Sequence, residues 1–256
     1  MKRFNIFLVS IITLACSCSV KEDREACPCW MEIDLSTCHH FTDRVALKGW
    51  TDAGPVFGVN VLEEDFPRIH EEEVPRKLIR YSASSTPVDA TYSGTIVTIP
   101  EGRQSDRFYA YRADVPAFGE SAYDKVSLHK QYAAVAVKVE DAGEGCLVTV
   151  KGAWNGIDLT TLKPVAGSFS YVPETAEENV WYFRVPRQGD DSLVMDITGG
   201  NGHTIPYDLG GLIRDSGYDW KAEDLDDIML GVDYVTGTVS VKVIGWEEGL
   251  IYDEII

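Results

Sequence analysis

The sequence predicts an all-β fold: two β-sandwich domains in tandem behind a lipoprotein signal peptide. Three features predict it. Apolar and polar residues alternate with period two from Trp30 onward, Gly- and Pro-containing turn clusters separate the alternating runs, and no long stretch carries helical periodicity.

Lys2 and Arg3 precede an apolar run, Phe4 to Ala15, which has the length of a signal-peptide core and is too short to span a bilayer stably. It ends in Leu14-Ala15-Cys16-Ser17-Cys18, small residues before a cysteine, as in a lipobox. Cys18 is the expected lipidation site, because Ala15 and Ser17 are small and a polar tether follows. Cys16 is the alternative, since Ala15 precedes it too. Residues 1–17 then form the signal peptide and 18–29 the lipidated tether, and two or three acyl chains anchor stably where one is marginal.

In residues 30–128, strands are expected at Met31 to Leu35, Val45 to Trp50, Val56 to Leu62, Lys77 to Ser82, Thr91 to Ile99 and Arg107 to Ala113. Turns fall at Thr51-Asp52-Ala53-Gly54-Pro55 and Pro100-Glu101-Gly102, where Gly supplies positive φ and Pro fixes its own. The polar stretch Asp124 to Lys130 marks the domain boundary. In residues 129–256, strands are expected at Tyr132 to Val139, Cys146 to Lys151, Ser168 to Val172, Val180 to Val185, Ser192 to Ile197, Ile228 to Tyr234 and Thr238 to Trp246. Gly199-Gly200-Asn201-Gly202 reads as a hairpin turn. A single short helix is expected at Asp219 to Leu225, with Asp219 as its cap and Glu223 and Asp224 near its positive end.

The formal charge is −18, and loss of residues 1–17 removes Lys2 and Arg3 but no acid, leaving 21 basic against 41 acidic side chains. Such a surface repels phosphate backbones, so nucleic acid is not an expected partner. Of the six cysteines, Cys16 and Cys18 belong to the lipobox, while Cys27, Cys29 and Cys38 lie close enough in sequence for a disulfide whose connectivity stays open.

No Gly-x-Ser-x-Gly elbow, phosphate loop, His-Glu-x-x-His helix or dinucleotide fingerprint is present, so no enzyme and no cofactor is expected. Cys27, Cys29, Cys38, His39 and His40 are good zinc ligand types in a spacing that fits no structural-zinc pattern. His70 heads His-Glu-Glu-Glu without the second His of a zinc protease and reads as a solvated loop. Asp215, Asp219, Glu223, Asp224, Asp226 and Asp227 offer calcium-type oxygens, with Gly217 out of register for an EF-hand. No metal is expected at either place. Tyr109, Tyr111, Trp154, Trp181 and Tyr182 are candidates for a sugar-stacking platform against the alternative of core packing. A hydrolase would need His129 or His203 beside an acid and a serine.

The mature start, Cys18-Ser-Val-Lys-Glu-Asp-Arg-Glu-Ala-Cys27-Pro-Cys29-Trp30 followed by a strand, resembles the FimB-like fimbrillin-associated anchor proteins of Bacteroidales. Val185-Pro186-Arg187-Gln188 with Leu193, Ser216-Gly217-Tyr218-Asp219-Trp220 leading to Asp224 to Ile228, and Trp246 resemble the same family, as do Gly152 to Asp158 and Gly167 to Tyr171. The resemblance implies two transthyretin-like sandwiches and a fimbrium base held in the outer membrane, at the cell surface, by the lipid on Cys18. It also implies a role in limiting fibre length and contact with fimbrial subunits by strand pairing, which leaves few side-chain signatures. Arginine-specific cleavage at Arg44, Arg68, Arg76 or Arg80 stays open, as does the choice between a donated and a closing strand for residues 249–256. The rival reading is a surface glycan-binding lipoprotein.

Overall fold

The computed structural model describes residues 27–141, 143–177 and 179–245. Cys16, Cys18, Trp246 and the 249–256 tail fall outside the described residues. The body is built almost wholly of β-strands, in two sandwiches.

The first sandwich packs a three-stranded sheet on a five-stranded one. Cys29–Asp34 (β1) lies between His70–Val74 (β4), antiparallel to it, and Ser121–Lys125 (β9), parallel to it. Alternation sets its orientation: Met31, Ile33 and Leu35 are fully buried while Trp30 is exposed. The facing sheet runs His129–Lys130 (β10), Tyr109–Pro116 (β8), Leu78–Ser85 (β5), Arg44–Thr51 (β2), Gly54–Leu62 (β3). Leu47, Ile79, Tyr81 and Val115 close the core between the sheets.

Three strands here were not expected, the two-residue β10 among them. Residues 70–74, read as a solvated loop, form edge strand β4. Val74 is buried in the core, while Glu71 and Glu73 point out along an open edge, where charge discourages pairing with another chain. Ser121–Lys125 likewise pairs with β1 where the sequence reads as polar connection.

In the second sandwich, one sheet runs Thr175–Glu177 (β14), Val180–Pro186 (β15), Tyr132–Glu140 (β11), Asp227–Asp233 (β18), Thr238–Ile244 (β19). Strands β11 and β18 pair in parallel and present Val135, Val137, Ile228 and Leu230 to a core that also holds Trp181 and Phe183. The opposite sheet is centred on Leu147–Asp158 (β12), flanked by Lys163–Tyr171 (β13) and by the hairpin of Val194–Thr198 (β16) and Thr204–Tyr207 (β17). The Gly199–Gly202 stretch is the turn of that hairpin, as expected.

The helix expectation is corrected. Residues 219–225 form an irregular loop, and the one α-helix among the described residues is Leu209–Asp215 (α1), capped by Asp208, whose carboxylate accepts from the Gly211 amide at 3.0 Å. The loop fails to coil because its carbonyls are taken: Arg187 binds those of Trp220, Ala222 and Glu223. Its cap candidate Asp219 instead closes a local turn onto the Lys221 amide.

The sheets cross the expected 128/129 boundary. The expected strand Thr91 to Ile99 is a hairpin, Thr91–Ser93 (β6) and Ile96–Thr98 (β7), and β7 pairs with β12 of the second sandwich through Thr98–Gly156, Val97–Ile157 and Ile96–Asp158. Strand β10 pairs back onto β8, and a small core of Val97, Phe108, Ala110, Ile157 and Leu159 joins the halves. Gly156 is required where the hairpin lands, since a Cβ there would come within 2.6 Å of the Val97 carbonyl oxygen. Gly156→Ala is therefore expected to lower stability by about 1–3 kcal/mol through forced displacement of the hairpin. A urea midpoint equal to wild type would contradict it.

Candidate functional site

A cavity of about 860 Å³ opens where the two sandwiches meet. Seven separate segments build it: β8 brings Tyr111 and Arg112, the junction His129 and Gln131, β12 Trp154, the β12–β13 turn Thr161 to Pro164, and α1 Arg214, while the segment after β15 and the 218–223 loop supply the rest. Gly189 lies against the Trp154 indole, where a Cβ would stand 2.6 Å from the ring.

Arg187, only 6% exposed, organises one wall. Its guanidinium donates to the carbonyls of Trp220 (2.6 Å), Ala222 (2.8 Å) and Glu223 (3.0 Å) and, through Nε, to Gln131 Oε1 (2.9 Å). Burial pulls its pKa below the usual value, against the opposing pull of Tyr218, Asp219 and Asp224. Beside it, Asp224 accepts from the Lys130 amide (2.7 Å) and pairs with His129 Nδ1 (2.9 Å). Beneath, the buried Lys130 ammonium meets Asp227 at 2.5 Å.

The residues singled out in the sequence are mostly dispersed. The calcium-type cluster is tied to protein donors: Asp215 to Arg214, Asp219 to Lys221, Asp224 to His129 and Asp227 to Lys130. No group of three or more His, Cys, Asp and Glu among the described residues is placed to hold a metal ion. Of the aromatic set, Trp181 is buried in the second core, Tyr109 packs edge-on against Tyr132, Tyr111 donates to Asp124, and Trp154 lines the cavity, so these four are split among separate environments. His129 does meet an acid, but no serine or cysteine lines the cavity; His203 sits in the β16–β17 turn, its carbonyl accepting from the Tyr234 hydroxyl. Arg187 and Gln188 appear in the sequence only through the family resemblance. Apart from the Gln188 bond to the Pro186 carbonyl, their side-chain partners lie more than thirty residues away, which no local pattern reveals.

Cys27, Cys29, Cys38 and Cys146 are free thiols in the structure, and Cys27 alone among them is exposed. Burial, and secondarily the charge of Asp34, pushes Cys38 up to about 12. At pH 8 its thiolate fraction is then on the order of 10⁻⁴, too small for ready alkylation. The protein is expected to label quickly at Cys27, and at Cys29, Cys38 and Cys146 only after denaturation. A denatured total two thiols short would instead show a disulfide.

No protein-family model and no curated protein sequence matches the chain. Among solved structures, it is similar to the fimbrial anchor protein Mfa2 from Porphyromonas gingivalis, at 13% identity and a TM-score of 0.61 over 86% of this chain and 98% of that one. A protein from Bacteroides thetaiotaomicron described as a polysaccharide-binding candidate matches at 11% identity and a TM-score of 0.59, over 87% and 100%. A candidate adhesin from Bacteroides ovatus matches at 13% and 0.56, over 88% and 95%. The chain thus has the tandem-sandwich fold of the Mfa2 fimbrial anchor and of these Bacteroides proteins.

Proposed function

We propose that this chain is a non-enzymatic, lipid-anchored subunit of a cell-surface fimbrium, held in the outer membrane through Cys18 and contacting fimbrial subunits by strand pairing. The observation that carries the reading is the likeness to a fimbrial anchor along nearly that protein's whole length. It joins a sequence start in which an apolar run leads into Ala15-Cys16-Ser17-Cys18. Open sheet edges suit the partner: β3, β17 and β19 each lack a neighbour on one side among the described residues, and such edges accept a strand from another chain through main-chain hydrogen bonds. Ending polymerisation at the base, and so limiting fibre length, follows from an anchor that stays in the membrane.

The test replaces Cys18 by Ser, and separately Cys16 by Ser, and follows membrane fractionation together with fibre ladders on unboiled gels. The Cys18 change is expected to release protein and fibres together into the medium while the Cys16 change leaves both attached. Release of protein with no accompanying fibre would sink the fimbrial role. A second readout deletes residues 249–256; unchanged fibre attachment would remove that tail from the pairing.

A further inference from the structure

We infer that the cavity between the sandwiches binds an uncharged oligosaccharide. Its volume of about 860 Å³ lies in the range of about 300–1,000 Å³ typical of small-molecule sites. Its walls carry the partly exposed rings of Trp154 and Trp220. Rings of this kind offer flat apolar faces with a polar edge, which match the C–H faces and hydroxyl rims of pyranoses.

The charge pattern selects among ligands. The chain as a whole carries −18, yet five basic and four acidic side chains line this cavity. Several of them already have partners: Arg214 pairs with Asp191 at 2.7 Å, Arg112 with Asp114 at 2.7 Å, and Arg187 with backbone carbonyls. The near balance offers little net attraction for an anion, and the surrounding acidic surface repels one.

The wall also carries unmet hydrogen-bonding capacity of both kinds. Gln188 Oε1, an acceptor, and Trp220 Nε1, a donor, are buried without a partner, a state rare for buried polar atoms. Both atoms are closed to solvent, so a sugar hydroxyl, which donates and accepts, meets them only after the covering side chains shift.

The inference stands apart from the anchoring reading, since a Cys18→Ser protein released from the membrane keeps the cavity. The mature protein in detergent is applied to a microarray of neutral oligosaccharides of glucose, mannose, galactose and N-acetylglucosamine beside sialylated and sulfated glycans. The best-bound neutral glycan is then titrated calorimetrically. Binding to neutral glycans is expected, weakened tenfold or more by Trp220→Ala, which removes a ring but keeps the carbonyl that Arg187 binds. Ala222→Trp, which fills the cavity from its wall, gives an equal loss without deleting a contact. Circular dichroism and thermal midpoints identify which variants are folded. No glycan bound, binding only to sialylated or sulfated glycans, or wild-type affinity in the folded variants would each overturn the inference.

Discussion

Asp227→Asn is expected to destabilise the protein by about 3–5 kcal/mol, because it leaves the Lys130 ammonium buried without its counter-charge. Both side chains are 6% exposed, and one carboxylate oxygen accepts from Lys130 Nζ at 2.5 Å and from the Ala134 amide at 2.8 Å. These contacts tie the junction between the sandwiches to the first residue of β18. Against a total stability of about 5–15 kcal/mol, the loss is large enough to move a guanidinium midpoint far at unchanged slope. Replacing both partners by apolar residues, Lys130→Met with Asp227→Leu, is expected to recover much of it, since the desolvation cost disappears with the charges. Recovery stays incomplete because the Ala134 amide still loses its acceptor. A single-variant cost below about 1 kcal/mol would show that the pair is solvated.

Arg187→Met has the next largest effect, about 2–4 kcal/mol, since it strips donors from three carbonyls and one carboxamide, each costly when left unpaired in a buried setting. The damage should be local. Amides of the 216–226 loop are expected to exchange with deuterium faster, while those of β11 and β15 keep their protection. Arg187→Lys keeps the charge yet cannot reproduce a planar fork aimed at several acceptors, so it should rescue only part of the loss. Uniformly faster exchange across both sandwiches would assign Arg187 to global stability instead of the cavity wall.

Strands that bury one face against a core were legible because alternation encodes burial directly. Val45 to Trp50, Tyr132 to Val139 and Val180 to Val185 all fall within observed strands. Strand β4 was not legible, since a Glu-rich edge has the composition of a loop and its pairing comes from a strand forty residues away. The helix was hidden for a different reason. Gly210 and Gly211 lower intrinsic helicity, yet Gly210 is needed where a Cβ would stand 2.1 Å from the Asp191 carbonyl oxygen. At Asp219 to Leu225 the local signals for a helix were sound and a distant arginine overrode them. The cavity was illegible as a whole. His129 and Asp224 each drew notice for separate chemistries, but their pairing spans 95 residues.

The hairpin β6–β7 gives the molecule a mechanical character. The chain enters it from β5 of the first sandwich and leaves it along the second, where Ile99 bonds Asn155, while its edge is sewn into β12. Tension applied between the two ends of the chain cannot part the sandwiches by straightening a connector, because the residues from 91 to 98 must first be pulled out of the neighbouring sheet. The three β7–β12 residue pairs and the apolar plug of Phe108 and Ile157 behind them add to the Lys130–Asp227 tie in setting the yield point under load. Weakening that seam should let the sandwiches extend as separate beads at lower force while each bead stays intact.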